Sequence, residues 1–309
     1  MSINIHSEFH DIIGQSKIKE TLTTLIKASE IKASAMPHCL LSGAPGVGKT
    51  TIAKKIAAAN NVPIKIVNAA SLKNELSIIS VLYELTNNQV IFIDECHALK
   101  SKSQEILLSA LEEGYVNIAS SMMNVETYVL PPFCLIGATT SRVSTALHQR
   151  FKYVFEMEPY NNQNIEQILA NYVKKGSRLP FSYNRFAPYC RFNPRVARNV
   201  ADWINDYSIV NNLKILDDNT VHECLDKVGI YSLGLTSQDL KYLKTLKGFS
   251  SPIGIDSLAS TLNLDRKLVE ASIEPYLLQT GLIFKLKTGR IINRKNISIW
   301  EHDLQKLKT

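Results

Sequence analysis

The sequence predicts an α/β fold with a parallel sheet over residues 1–160, followed by a helical lid domain over 161–230 and a C-terminal winged-helix domain over 231–309. Three observations predict it. First, the runs Cys39-Leu40-Leu41, Val90-Ile91-Phe92-Ile93 and Phe133-Cys134-Leu135-Ile136 are wholly apolar and end at glycines, carboxylates or hydroxyls. Such runs fit parallel strands buried on both faces, whose C-terminal ends open on a ligand crevice. Second, from Asn164 the pattern turns helical without strand runs, through Ile165, Ile168, Leu169 and Val173. Third, the tail reads as three short helices (Leu240 to Leu246, Ile255 to Leu262, Leu268 to Leu278) and then a hairpin from Leu282 to Ile292 with a Thr-Gly turn.

In the first domain, Glu8 to Gln15 forms a short turn feeding an amphipathic helix with Ile18, Leu22, Leu25 and Ile26 on one face. Gly43-Ala44-Pro45-Gly46-Val47-Gly48-Lys49-Thr50 follows the first strand and opens the helix that continues from Thr51 to Ala59. Two glycines five apart, then Lys and a hydroxyl residue, form a phosphate-binding loop: glycines let successive N–H groups face one anion, and the helix adds its positive end. Lys49 is placed to reach the β- and γ-phosphates of ATP, and Thr50 to give a hydroxyl to Mg²⁺.

A second strand at Pro63 to Val67 and a helix around Leu76 to Leu85 lead to Asp94-Glu95-Cys96-His97 at the end of the Val90 strand. Asp94 is the expected metal-shell carboxylate and Glu95 the expected base for the attacking water. After a helix from about Gln104 to Glu113, Tyr115 to Ala119 and Val125 to Leu130 flank Met122 and Met123, a hairpin with an adaptable apolar tip suited to docking a partner. Folding of that tip onto the core is the alternative. Thr139 and Thr140 end the next strand, where a hydroxyl can bond the water or the γ-phosphate. Arg150 closes a short helix, and Arg195 follows Pro194 at the start of another. Both are candidates to stabilise charge on a transferring phosphoryl group, against the alternative of surface arginines.

Composition narrows the class. Of 309 residues 45% are apolar and 20% charged, as in globular chains of two or three domains. Neither a signal segment nor an apolar run of membrane-spanning length is present, and five cysteines without a CxxC pair argue against a disulfide framework or a zinc site. The expected setting is reducing and cytoplasmic. Formal charge is balanced through residue 160, +2 over 161–230 and +5 over 231–309, so the positive surplus sits in the tail. Lys285, Lys287, Arg290, Arg294 and Lys295 lie in the wing without an intervening acid, placed to meet nucleic-acid phosphates and set position rather than sequence. A solvated lysine-rich surface is the alternative reading of the charge.

With the phosphate loop, Asp94-Glu95, Thr139 and Arg195 in this order, the chain resembles the AAA+ P-loop ATPases, and more closely the RuvB-like branch-migration motors. The likeness runs from about Phe9 to Arg294 and includes Ile12-Ile13-Gly14-Gln15, Ile136-Gly137-Ala138-Thr139-Thr140, Arg150-Phe151 and Asn193-Pro194-Arg195. In the tail it includes Gly234-Leu235-Thr236-Ser237-Gln238-Asp239-Leu240, Glu274-Pro275-Tyr276-Leu277-Leu278 and Thr288-Gly289-Arg290. It implies that Ile12, Ile13 and Tyr160 lie by the adenine, that Gly43 to Thr51 hold the phosphates, that Arg150 acts on a neighbouring subunit's nucleotide and that Arg195 acts in cis. It further implies hexameric rings around duplex or branched DNA and a RuvA-like partner docked at the 115–130 hairpin. The chain departs from the resemblance at Cys96, His148, a shorter hairpin and a reduced N-terminal arm. The expected function is ATP-dependent branch migration of Holliday junctions; a clamp-loader or initiator ATPase, or an ATP-gated DNA-binding scaffold that does not translocate, is the alternative.

Overall fold

The computed structural model describes residues 9–119, 125–173, 182–213 and 216–308. Met122 and Met123 lie outside the described residues. Two compact units divide the chain, Met1–Pro159 and Tyr160–Thr309, and residues 161–230 and 231–309 both belong to the second.

In the first unit, helix α1 (Ser16–Ile31) leads into β1 (Cys39–Ser42), α2 (Lys49–Ala59), β2 (Ile64–Asn68), α3 (Glu75–Tyr83), β3 (Val90–Asp94) and α4 (Ser101–Glu113). The hairpin β4 (Tyr115–Ala119) and β5 (Val125–Val129) precedes β6 (Cys134–Thr139), α5 (Thr145–Arg150) and β7 (Tyr153–Glu156). Strands β2-β3-β6-β1-β7 form one sheet, parallel throughout. The apolar runs behave as expected of central strands: all six residues of β6 are buried, and Phe92 of β3 is fully enclosed. Burial of Leu135, Ile136 and Phe92 contributes about 1.5–3 kcal/mol each relative to exposure. Strand β7 has no counterpart in the sequence reading. It is a four-residue edge strand with only Phe155 buried, too short and too wet to leave an apolar run.

Pairing aligns Ser42 with Thr139 and Asn68 with Asp94, so the ends of β1, β6, β3 and β2 share one edge of the sheet. The loop from β1 to α2 therefore leaves beside the carboxylates of β3, with β6 between them. The β4–β5 hairpin stands apart as its own two-stranded sheet, and Tyr128 packs against Tyr83 of α3 with ring centroids 4.7 Å apart.

The second unit begins with α6 (Asn162–Tyr172), α7 (Tyr183–Phe186), α8 (Pro194–Val210) and α9 (Asp218–Lys227). Then come α10 (Ser237–Lys247), α11 (Ile255–Leu262), α12 (Arg266–Leu268), a π-helical turn (Val269–Ile273) and α13 (Glu274–Gln279), before the hairpin β8 (Ile283–Leu286) and β9 (Gly289–Ile292). A separate core from Tyr231 to Trp300, with Leu240, Leu243, Leu258, Leu277 and Ile283 nearly inaccessible, holds the winged helix together. The wing turn is Lys287-Thr288, one residue earlier than expected, because Leu286 pairs with Gly289. Gly289 is needed for a different reason: at φ 144°, an added Cβ would lie 2.3 Å from the Ile253 carbonyl oxygen, and Ile253 bonds both backbone groups of Arg290.

Candidate nucleotide-binding site

Gly46 and Gly48 have φ of 81° and 102°, which side chains disfavour, and this lets the loop curl onto the N-terminus of α2. The Gly43 N–H donates to the Thr139 carbonyl at 3.1 Å, tying the start of the loop to the end of β6. Lys49 is buried, and its Nζ donates to the carbonyls of Gly43 at 2.7 Å and Ala44 at 3.1 Å. The ammonium thus lies inside the loop's curl. Thr50 is half-buried in the first helical turn, while Ala44, Pro45 and Thr51 are exposed.

Across the crevice, Asp94 accepts a hydrogen bond from the Glu95 N–H at 3.1 Å. Glu95 itself adopts the left-handed conformation, φ 52°, a strain of about 1 kcal/mol or more for a non-glycine residue. That turn ends β3 and directs the carboxylate toward β6. There, the Thr140 hydroxyl donates to Glu95 Oε2 at 2.8 Å, and His97 Nδ1 lies 3.2 Å from the same oxygen. His97 Nδ1 also lies 3.1 Å from Thr139 Oγ1, whose proton goes to the Ser141 carbonyl at 2.6 Å. With Thr139 already donating, the network makes Nδ1 the proton-bearing nitrogen, donating to Thr139 with the Glu95 carboxylate close beside it. The site thus links the expected base to the expected γ-phosphate reader through His97.

Sequence reasoning did not find that link. Its one signal was a histidine two residues beyond Glu95. Cys96, between them, is 1% exposed, and burial pushes its thiol up to about 12, so it packs rather than reacts. Lys49, Asp94 and Glu95 all act electrostatically on this thiol, which puts the loop lysine and both carboxylates in one neighbourhood.

The other expected residues fall as follows. Ile12 is buried and Ile13 half-buried; Lys19 Nζ donates to the Ile12 carbonyl at 2.8 Å. Gln15, the last residue of the Ile12–Gln15 segment, pairs its amide with both backbone groups of Glu158, at 2.8 and 3.0 Å, and so docks this segment on the exit from β7. Arg150, at the end of α5, bonds Glu112 of α4 at 2.5 Å. With side chains 34% and 55% exposed, this ion pair holds by about 1 kcal/mol or less, so Arg150 is readily exchanged to another anion. In the second unit, Tyr160 is buried. Arg195 stands exposed in the first turn of α8, its N–H capped by the Asn193 side chain at 2.9 Å.

One expectation is overturned. Arg290 is not a phosphate contact: it is 7% exposed, and its guanidinium donates to both carboxylate oxygens of Glu274, at 2.7 and 3.0 Å. Glu270 lies 3.5 Å away, and Tyr242 donates to Glu274 at 2.9 Å. The acids absent from the wing itself come from the π-helical turn and α13. Lys285, Lys287, Arg294 and Lys295 remain exposed.

Comparison with known proteins agrees along the chain. The model of the Holliday junction DNA helicase RuvB P-loop domain matches residues 6–157, and that of the RuvB C-terminal winged helix domain matches residues 232–301. The Holliday junction branch migration complex subunit RuvB of Campylobacter hominis is 35% identical over 309 residues, covering 95% of this chain and 88% of its own. The subunit of that name from Mesomycoplasma hyopneumoniae is 33% identical over 303 residues, covering 94% of each chain. Among solved structures, the Thermotoga maritima RuvB Holliday junction branch migration motor superposes with a TM-score of 0.80 at 27% identity, over 96% of this chain and 98% of that one. Matched in both units by models of one family and nearly end to end by its curated members, the chain belongs to the RuvB family.

Proposed function

We propose that this chain is an ATP-driven DNA translocase that drives branch migration of Holliday junctions as a ring-forming motor. The observation that carries this reading is the cluster beside the Gly43–Thr50 loop in which Thr140 bonds Glu95, His97 bonds Thr139, and His97 lies 3.2 Å from Glu95, in a chain whose relatives are named for the branch migration complex. The loop N–H groups and the N-terminus of α2 take the β- and γ-phosphates, and Lys49 turns its donors from the loop carbonyls to phosphate oxygens. Thr50 and Asp94 offer two oxygens to Mg²⁺, a donor set that suits an ion drawing its remaining ligands from phosphate and water. When bound, the metal neutralises charge on the phosphates.

Glu95 accepts a proton from the attacking water as its oxygen bonds to the γ-phosphorus and the bond to the β–γ bridging oxygen breaks. Thr139 reads the γ-phosphate, and His97 passes that state to Glu95. Arg150 from a neighbouring subunit and Arg195 in cis stabilise the transferring charge, and Tyr160, Ile12 and Ile13 adjoin the adenine. An arginine that completes a neighbouring subunit's site acts only in a ring or filament of subunits, and we propose a hexameric ring. Lys285, Lys287, Arg294 and Lys295 meet duplex phosphates. The β4–β5 hairpin, with Val129 exposed on it and Tyr83 of α3 exposed beside Tyr128, receives a RuvA-like partner. The proposed setting is cytoplasmic; among the described residues no helix is long and apolar enough to cross a membrane.

The test is migration of a four-way DNA junction with ATP and with a nonhydrolysable analogue, each with and without a junction-binding partner. Movement with ATP alone among the nucleotides supports a motor. Junction binding with either nucleotide, but no movement under any condition, overturns it in favour of a scaffold.

A further inference from the structure

Phosphate tracking accounts for the ammonium groups of the wing but not for its apolar side. Along β8, Ile283 points into the core at 1% exposed, whereas Phe284 and Leu286 are each 49% exposed. Phe284 stands opposite the half-buried Ile291, and Leu286 stands opposite Gly289, which offers no side chain to cover it. Lys285 occupies the alternate position of the strand, and Lys287 starts the turn; both are exposed. Strand alternation therefore makes the hairpin a two-stranded blade, with apolar side chains on one face and cations on the other and at the tip.

The blade is held rigidly. Arg290, on the strand opposite Lys285, is anchored by Glu274; Ile253 pairs with it through both backbone groups, and the Asn293 amide donates to the Gly281 carbonyl at 2.7 Å. Singly exposed apolar residues need no explanation, but neighbours on one face of an anchored hairpin form a patch that marks an interaction surface. The flanking charge selects the occupant. A protein surface laid on the apolar face alone leaves Lys285 and Lys287 without a partner, while a polyanionic groove that takes in both faces of the blade pairs with them. The minor groove of duplex DNA combines both needs: it is about 6 Å wide, its walls are sugar, and its rims are phosphate. Apolar side chains entering it can wedge between base steps.

We propose that Phe284, backed by Leu286, enters the minor groove of duplex DNA and wedges against a base step, while Lys285 and Lys287 bond the phosphates on its rims. This deepens the reading of the tail as a DNA-contacting domain and rests on it. The wedge gives the wing a grip that salt does not screen.

The experiment measures anisotropy of a labelled duplex against the full-length chain across a salt series, with 2-aminopurine in the duplex as a stacking probe. Phe284→Ala is expected to weaken binding about tenfold at every salt concentration, as loss of an aromatic–base contact does, without changing the salt slope. It should also abolish the 2-aminopurine brightening that the unsubstituted chain produces, and Phe284→Trp should restore both. Lys285→Ala combined with Lys287→Ala should lower the slope of log affinity against log salt by about 2, leaving the brightening at saturation. Half-exposed Phe284 is not needed for folding, so an unchanged melting curve accompanies these effects. Unchanged affinity and brightening in Phe284→Ala overturn the wedge, as does an effect confined to self-association in sedimentation, which assigns the face to a second copy. If the unsubstituted chain shows no salt-dependent duplex binding, the DNA reading itself fails, and the wedge with it.

Discussion

Substituting Arg290 separates the role its sequence context suggests from the one its surroundings give it. Arg290 is 7% exposed and Glu274, whose carboxylate it grips, is 2% exposed. Arg290→Ala leaves that carboxylate in the core with the Tyr242 hydroxyl as its remaining strong donor. Removing one partner of a buried ion pair costs about 3–5 kcal/mol, because the other charge stays buried and uncompensated. For a unit of the size of Tyr160–Thr309, each kcal/mol lowers the melting temperature by about 2–4 °C, so the second unit's transition should fall by roughly 10 °C. Scanning calorimetry of the full chain reads this, since the two units can melt as separate transitions. Replacing both partners, Arg290→Met with Glu274→Leu, should recover most of the loss, because apolar groups of similar volume commonly substitute for a buried pair at little cost. The reasoning is refuted if Arg290→Ala melts like the unsubstituted chain yet lowers the DNA-binding salt slope by about 1; that pattern belongs to a phosphate contact.

Three further outcomes follow from the site and its sheet. Glu95→Gln should retain ATP binding and lose ~10²-fold or more in turnover, as removal of a general base does; full ATPase activity would show that Glu95 is not the base. Arg150→Ala and Lys49→Ala proteins, each inactive alone, should regain part of their turnover when mixed, because an intact finger then meets an intact loop across a subunit boundary; the absence of rescue assigns Arg150 to its own subunit's site. His38 is buried, and burial lowers its pKa to about 4 from 6.5, while its Nδ1 accepts the Leu135 N–H at 3.0 Å. Between those values the unfolded chain takes up a proton that the folded chain refuses, so stability falls as pH drops from 6.5 toward 4, by up to about 3 kcal/mol, and levels off below. Urea midpoints across this range should fall less steeply with acid in His38→Asn; parallel curves would show that other groups govern the acid response.

The parts of the site that sequence disclosed are those whose chemistry is contiguous. Gly43 to Thr50 carries its own turn, charge and hydroxyl, and Asp94-Glu95 ends an unmistakable buried strand, so neither needs the fold to be recognised. The bond from Thr139 to His97 was hidden because it exists only once β3 and β6 are neighbours, 42 residues apart in sequence. The same cause misplaced Arg290. Its carboxylate partner lies 16 residues upstream, so counting charges along the wing found no acid nearby. Edge strand β7 escaped because a strand with one buried residue has no periodicity to read.

The tail shows why some words are more specific to one family than a phosphate loop is. Arg191, between α7 and α8, donates to the Gly234 carbonyl at 2.7 Å, bonds the buried carboxylate of Asp239 and stacks over the Tyr276 ring at 4.5 Å. Tyr276 in turn donates to the Leu233 carbonyl at 2.5 Å, and Asp239 also receives the Thr236 N–H at 2.7 Å. One joint therefore draws on the Gly234–Leu240 word, the Glu274–Leu278 word and an arginine outside both. Glu274, of the second word, then serves the Arg290 pair that ends Thr288-Gly289-Arg290. A phosphate loop answers to a ligand that many folds bind, and any chain with a strand, a turn and a helix can present it. A joint answers only to the other segments of its own chain, so each residue in it restricts the rest.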